Sequence, residues 1–458
     1  MRAALFLSIA AMVMASCTTS PDRDTPTRAV VADSTLPPMK VFANARPRPP
    51  VMSNSDIAGD FMALHFQLES GRSLETFTRF EGPITVRVTG APPASLDADL
   101  HRLLLRLRKE AGIDIRQAHS GTANITIEAI PRDEIRRSLP LAACFVVPNV
   151  SSLAEFRRDR RKSKTNWALL EKRERLAIFV PNDTSPQEVR DCLHEELAQA
   201  LGPLNDLYRL SDSVFNDDNV HRVLTGFDML ILRTTYAPEL RTGMSRADVA
   251  AQLPRILARY NPNGSGKPRV GVEPTPRVWI NAVQTALGPG ASPNARRAAA
   301  DTALITAQEH GWTDHRRAFS HYMVGRLAQV TDPELAEKHY VSAMYYLDRT
   351  PRTEVQQAYI ITQTAALDIS RGDPARALAR LNPAIETAAQ SENAALLSTL
   401  MLLKAEALEL LGRPDQARAV RLDSLGWARY GFGADWAVKQ KMREISALNP
   451  LKRSDGQI

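Results

Sequence analysis

In the stretch SPQEVRDCLHEELAQALGPLND, Ser185 to Asp206, Glu195 and Gln199 stand four residues apart. On a helix they project from one face, a turn apart. Glu196 lies beside them, and Asn205 and Asp206 follow a Gly202-Pro203 stop. Catalytic zinc takes its protein ligands mainly from imidazole, then from carboxylate. The oxygens of Glu195, Gln199, Asn205 and Asp206 suit a hard cation such as Ca²⁺ better than zinc. If the site activates water, Glu196 is the residue placed to act as general base. The alternative is structural: the same polar groups cap helix ends and complete hydrogen bonds. Buried carboxylates are costly unless paired, so the cluster either binds something or opens to solvent.

The elements that must hold these residues are legible around them. Ser185 is a good N-cap, Pro186 suits the first helical position, and Glu188 completes a capping-box pattern. Val189, Leu193, Leu197, Ala200 and Leu201 form one apolar stripe at helical spacing. Upstream, Ile84–Val88 alternates like a strand and Leu96–Gly112 carries a helical pattern. Ile125–Ile127, Cys144–Val147 and Leu176–Val180 read as three more strands. Downstream, Leu224–Tyr236 and the segment capped by Ser245 and Asp248 read as helices.

Set in register, Glu195, Glu196, Gln199, Gly202 and Asn205 resemble the matrixin-like metzincin signature H-E-x-x-H-x-x-G-x-x-H. Glu195, Gln199 and Asn205 take the three ligand positions, and Glu196 takes the general base. Ser213-Val214-Phe215 stands where that family has its Met turn, and Leu224–Tyr236 where it has its closing helix. The departure is that every ligand histidine is replaced. From Phe77 to Tyr236 the chain also resembles a family of Gram-negative envelope lipoproteins with a degenerate zincin-like domain of unknown function. The resemblance implies an α+β zincin-like domain, a mixed sheet plus site helix, with zinc hydrolysis lost.

At 458 residues, with 44% hydrophobic and 24% charged residues, the chain has an ordinary globular composition and room for several domains. Its net charge of +7 is modest for that length. Residues 1–17 read as a secretory signal peptide, and Met14-Ala15-Ser16-Cys17 is similar to a bacterial lipobox with Cys17 lipidated. This predicts a lipid-anchored protein on the periplasmic side of the envelope, at the outer membrane, and argues against nucleic acid as a partner. Residues 18–55, rich in Pro, Thr, Ala and Arg, are predicted to be a disordered tether. With Cys17 modified, Cys144 and Cys192 remain, as a disulfide stapling strand to helix or as two buried thiols. The basic run Phe156–Lys164 reads as a solvated loop, with anionic headgroups as its functional alternative.

The zincin-like domain is predicted over 56–260, a linker over 261–276, a helical domain over 277–447 and a tail over 448–458. Ala336, Ala377 and Ala417 close three similar Pro-containing turns, 41 and 40 residues apart. They resemble the turns of tetratricopeptide-type hairpins, whose stacks present a concave face to a peptide or protein; the alternative is a plain bundle. The aromatic, glycine-rich stretch 426–436 could cap the stack or dock on the first domain. Three functions compete: a non-catalytic envelope scaffold or adaptor without a cofactor, a hydrolase with an altered zinc- or calcium-binding site, and a purely structural domain. The first is preferred, because losing every imidazole is hard to reconcile with water activation near neutral pH.

Overall fold

The structure, a computed structural model, describes residues 36–43 and 47–454. The signal segment, Cys17 and residues 18–35 lie outside the described residues.

The first part of the chain is built on a five-stranded sheet. In order come α1 (Asn54–Phe66), β1 (Ile84–Gly90), α2 (Leu96–Glu110), β2 (Ile115–Gln117), β3 (Ile125–Ile130) and α3 (Arg132–Ser138). Next are β4 (Phe145–Pro148), α4 (Leu153–Asp159), β5 (Leu176–Pro181), α5 (Pro186–Leu201), α6 (Gly226–Thr235) and α7 (Arg246–Tyr260). The strand order is β2-β1-β3-β5-β4, parallel except for β4, which pairs antiparallel with β5 through Phe145↔Phe179. β3 and β5 are apolar along most of their length because both sheet faces are covered. Ile125, Ile127, Leu176 and Ile178 face the main core with α2 and α5. Alternate residues such as Ala177 and Phe179 face a second core with Ile135, Leu153 and Phe156 of α3 and α4. Cys144, just before β4, pairs with Cys192 on α5, with Cα atoms 5.9 Å apart.

The remainder is helical: α8 (Arg277–Leu287), α9 (Pro293–Glu309), α10 (His315–Ala328), α11 (Pro333–Leu347), α12 (Glu354–Ser370) and α13 (Pro374–Gln390). Then come α14 (Ala394–Leu410), α15 (Pro414–Phe432), α16 (Asp435–Ser446) and α17 (Pro450–Ser454). The three Pro-containing turns join α10 to α11, α12 to α13 and α14 to α15, as antiparallel hairpins. Ala336, Ala377 and Ala417 are fully buried at equivalent points. The helices approach closely at Gly325, where a Cβ would stand 2.9 Å from the Tyr340 ring and 3.1 Å from the Ala336 carbonyl, and at Gly431, where it would stand 2.5 Å from Ala395 N. α8 and α9 form a further hairpin without that turn sequence, so the repeat pattern alone did not reveal it.

The tether expectation changes, and the open choice for 426–436 is decided. Residues 36–43 and 47–53 are not a disordered tether; they form an extended strap packed on the folded body. Lys40 N donates to Gly426 O at 3.0 Å, Phe42 stacks on Trp427, and Arg48 makes a two-pronged pair with Glu354. A Cβ on Gly226 would lie 2.0 Å from the Arg48 carbonyl, so only glycine admits the strap there. Few apolar residues are needed for this, because main-chain groups and arginines make the contacts. The 426–436 stretch docks on the first domain: Tyr430 Oη donates to Asp99 at 2.8 Å, and Gly433 packs against Ser185. The linker is also pinned, with Val270 N and Gly271 N donating to the Asp56 carboxylate at 3.0 Å each.

Candidate functional site

Helix α5 begins and ends where its sequence says. Ser185 Oγ accepts the Glu188 amide at 3.2 Å, but the Glu188 carboxylate turns to Arg132 and Thr184, so the reciprocal half of the capping box is absent. Val189, Leu193, Leu197, Ala200 and Leu201 are fully buried, the larger of these side chains stabilising by about 1.5–3 kcal/mol each. At the other end Gly202 is required by proximity: a Cβ would sit 2.8 Å from Thr235 Cγ2 and 3.0 Å from His65 Nε2.

Two residues that sequence reasoning missed stand at the C-terminus of α5: Arg173 clamps it, and His65 packs beside Gly202. Arg173, 3% exposed, donates from Nη1 to Gln199 O and Ala200 O at 2.7 Å each, and from Nη2 to Gly202 O at 2.6 Å. These are carbonyls that a helix end leaves without intrahelical partners, and a cation is favoured there. Burial holds the guanidinium down, to about 10. His65 of α1 bridges Phe61 O and Thr235 Oγ1, each at 2.9 Å, and burial pushes its pKa down to about 3. Neither lies within the Ser185–Asp206 stretch, so no local pattern marks them.

On the polar side of α5 the structure gathers carboxyls. Glu195 feels Asp217, Glu69 and Asp191, and burial with those charges pushes it up to about 8, against the pull of Arg222. Glu196 is raised well above the carboxylate range by burial, then by Glu195 and Glu69. Its Oε2 is buried and has no hydrogen-bond partner among the described residues. Asp206 is raised by burial and by the charges of Glu69, Glu195 and Asp217, and shares a hydrogen bond with Glu69. Asp217 accepts from Tyr208 Oη at 2.8 Å. Glu69 and Asp206 line a recess of about 400 Å³ between α1 and the 269–277 linker.

The other predicted positions are occupied differently. Asn205 Nδ2 donates to Ala63 O at 3.1 Å, while the Gln199 side chain is buried at the end of α5 and only its backbone carbonyl is bonded by Arg173. No three His, Cys, Asp or Glu side chains converge as a metal-binding group among the described residues. With Asn205 committed to α1 and the neighbouring carboxyls raised by burial and then by one another's charge, the donor set does not fit a catalytic zinc. The Ser213 turn is firmly built: Ser213 Oγ and Val214 N both donate to Asp228, and Phe215 N donates to Ser213 Oγ at 3.0 Å. Asp228 also completes a capping box with Thr225 at the start of α6. Phe215 is fully buried in the main core.

Among known families, residues 54–255 match one described as "Protein of unknown function (DUF2927)". The chain carries a DUF2927 domain followed by an all-helical region. Neither a curated protein nor a solved structure matches the chain. The DUF2927 domain therefore spans α1 to α7 and holds every carboxyl of the cluster. Its post-α5 loop is also shared with the helical region, where His315 Nε2 meets Tyr208 O at 2.7 Å and Gln356 donates to Ser211 O at 2.7 Å. The continuation of that loop, through Asp218 and Arg222, walls one end of a 500 Å³ groove. The groove is otherwise lined mainly by α10, α12 and α14, including Tyr322, Arg326, Tyr359 and Gln363.

Proposed function

We propose that the protein is an envelope adaptor: a zincin-like domain without hydrolytic activity that braces a helical-repeat groove for an extended segment of a partner protein, with Cys17 as the lipid anchor. The observation that carries the reading is the groove. Successive hairpins supply aromatic rings from Tyr322 and Tyr359 and amide or cationic groups from Gln363 and Arg326. That mixture suits an extended peptide, whose backbone needs donors and acceptors while alternate side chains need apolar contact. The zincin-like part is supported by the strand–helix–strand order leading to α5, the Gly202 bend and the Ser213–Phe215 turn in the core.

A second reading, acid–base hydrolysis at an altered oxygen-rich site with Glu196 as base, is favoured by the buried, unbonded Glu196 Oε2. It is opposed by the direction of that group's pKa, since a carboxyl held protonated cannot accept a proton at neutral pH. Photo-crosslinking from position 399 on α14, which lines the groove, separates the two. An adaptor gives a discrete protein adduct that Gln363→Ala with Arg326→Glu abolishes and Glu196→Gln leaves intact. Loss of the adduct and of cellular function in Glu196→Gln, with normal abundance and folding, would overturn the adaptor.

A further inference from the structure

A smaller cavity, apart from the groove and the recess, lies where α2, α5 and the residue before the α14 cap meet. It measures about 150 Å³, roughly five times the share of one water in the liquid. Arg102, Arg106 and Lys109 enter it from one face of α2, at the four- and three-residue spacing of helical neighbours, and Arg190 enters from α5. Asp99 and Glu110 of α2 itself and Glu392 before the α14 cap share the lining, leaving an excess of one positive charge among the described residues.

Each carboxylate is already engaged. Glu110 accepts from Arg106 Nε and Nη2 at 2.8 and 2.9 Å, Glu392 accepts from Arg190 Nη1 at 3.2 Å, and Asp99 accepts from Arg102 and Tyr430. Three N–H groups are left over. Arg106 Nη1 and Arg190 Nε are buried with no hydrogen-bond partner among the described residues, and Arg190 as a whole is 3% exposed. The third is on His194. Its Nδ1 accepts the Leu224 amide at 3.1 Å, which in a neutral imidazole places the proton on Nε2. Arg106, Arg190 and Arg102 all press on this ring electrostatically, and with burial they keep it neutral.

Two buried, unbonded guanidinium donors and the His194 N–H, with an uncompensated positive charge, call for a ligand that is all acceptor. A water molecule offers two lone pairs and must also place two protons; a tetrahedral oxyanion offers acceptors in several directions at once. We infer that this cavity is a binding site for a phosphate-class oxyanion, held by Arg106, Arg190 and His194 with Lys109 at the mouth.

The test is calorimetric titration of the purified chain with inorganic phosphate, at ionic strength held constant with chloride. One saturable site is expected, with a rise in melting temperature that chloride alone does not give. Arg106→Gln should weaken binding about tenfold or more, as loss of a charged donor does. Because Arg106 also anchors Leu224 O, a second variant guards against misfolding. Lys109→Gln alters an exposed side chain and should leave the unliganded melting temperature unchanged, weaken phosphate severalfold and flatten its salt dependence. Glycerol 3-phosphate tells the sources apart: equal affinity points to a phosphomonoester whose remainder leaves past Lys109, and loss of affinity points to free phosphate. Absence of saturable binding, or binding unchanged in both variants, overturns the inference.

Discussion

Replacing Arg173 by Met asks how much the end of α5 depends on one buried cation. The substitution keeps length and apolar volume but strands the carbonyls of Gln199, Ala200 and Gly202, which receive bonds of 2.6–2.7 Å. It also removes the bond to Thr78 Oγ1 and the contact of the guanidinium with the Trp167 ring. Hydrogen bonds to charged groups contribute about 1.5–3 kcal/mol each, so the three carbonyl bonds represent about 4.5–9 kcal/mol. Against this, the variant no longer buries a guanidinium whose pKa is held down to about 10, a relief of about 3 kcal/mol. The net expectation is a loss of about 1.5–6 kcal/mol, a severe effect for a single side chain. For a unit spanning residues 36–458 that melts together, it corresponds to roughly 2–7 °C in melting temperature. Urea unfolding followed by far-UV circular dichroism and tryptophan fluorescence measures it. Arg175→Met is the control: its partner Glu155 sits at 3.0 Å, but the Arg175 side chain is 44% exposed, so the cost should stay within about 1 kcal/mol. Equal, small losses in both variants would refute the clamp.

Two further outcomes follow from the same geometry. Cys192→Ser opens a loop of 48 residues between Cys144 and Cys192 and should cost about 4 kcal/mol; an unchanged urea midpoint, with both thiols of the wild type free to alkylating reagents, would remove the staple. Glu195 is raised in the folded state to about 8 from its ordinary 4.5, so the folded chain holds more protons than the unfolded one between those values. Its contribution to stability therefore falls as pH rises through that window. Glu195→Gln should accordingly be more stable than wild type by about 1–3 kcal/mol above pH 8 and nearly equal to it near pH 4. A difference that does not change with pH would show that folding leaves the Glu195 pKa where it is in the unfolded chain.

Much of the first domain could be read from the chain because its signals are local. The strands at Ile84, Ile125, Phe145 and Leu176 and the caps at Ser185 and Ser245 announce themselves within a few residues. β2 did not, because three residues cannot show alternation. α1 was hidden in a Pro-rich neighbourhood; its Ser53 cap carried the only starting signal. The strap was misread for a related reason: composition reports whether a segment can form its own core, whereas residues 36–53 borrow one already formed. At the site, the Ser185 cap and the apolar stripe placed Glu195, Glu196 and Gln199 on one helix, as α5 has them. They could not say that Asn205 would be committed to α1, or that Glu69 and Asp217 would join from outside the stretch. Long-range charges have no signature in spacing.

The loop after α5 explains why the two halves of the chain cannot be assigned separate functions by truncation. Asp206 and Asp217 on that loop complete the carboxyl cluster, while Tyr208, Ser211 and Arg222 on the same loop meet the helical region. Tyr208 packs edge-on against Trp279, a fully buried residue of the first helical hairpin, and Arg190 on α5 reaches Glu392 before α14. Removing the helices would bare Tyr208, leave Arg190 without its carboxylate partner and expose Gln187, whose Oε1 accepts the Ala395 amide. The loss of activity that followed would report a damaged DUF2927 domain as much as a missing groove. Substitutions confined to one surface are free of that confusion. Gln363 sits in the groove away from the loop, and Glu196 sits in the cluster away from the groove. A phenotype that tracks Gln363 and ignores Glu196 assigns the function to partner binding, because the two side chains share no contact through which one could imitate the other.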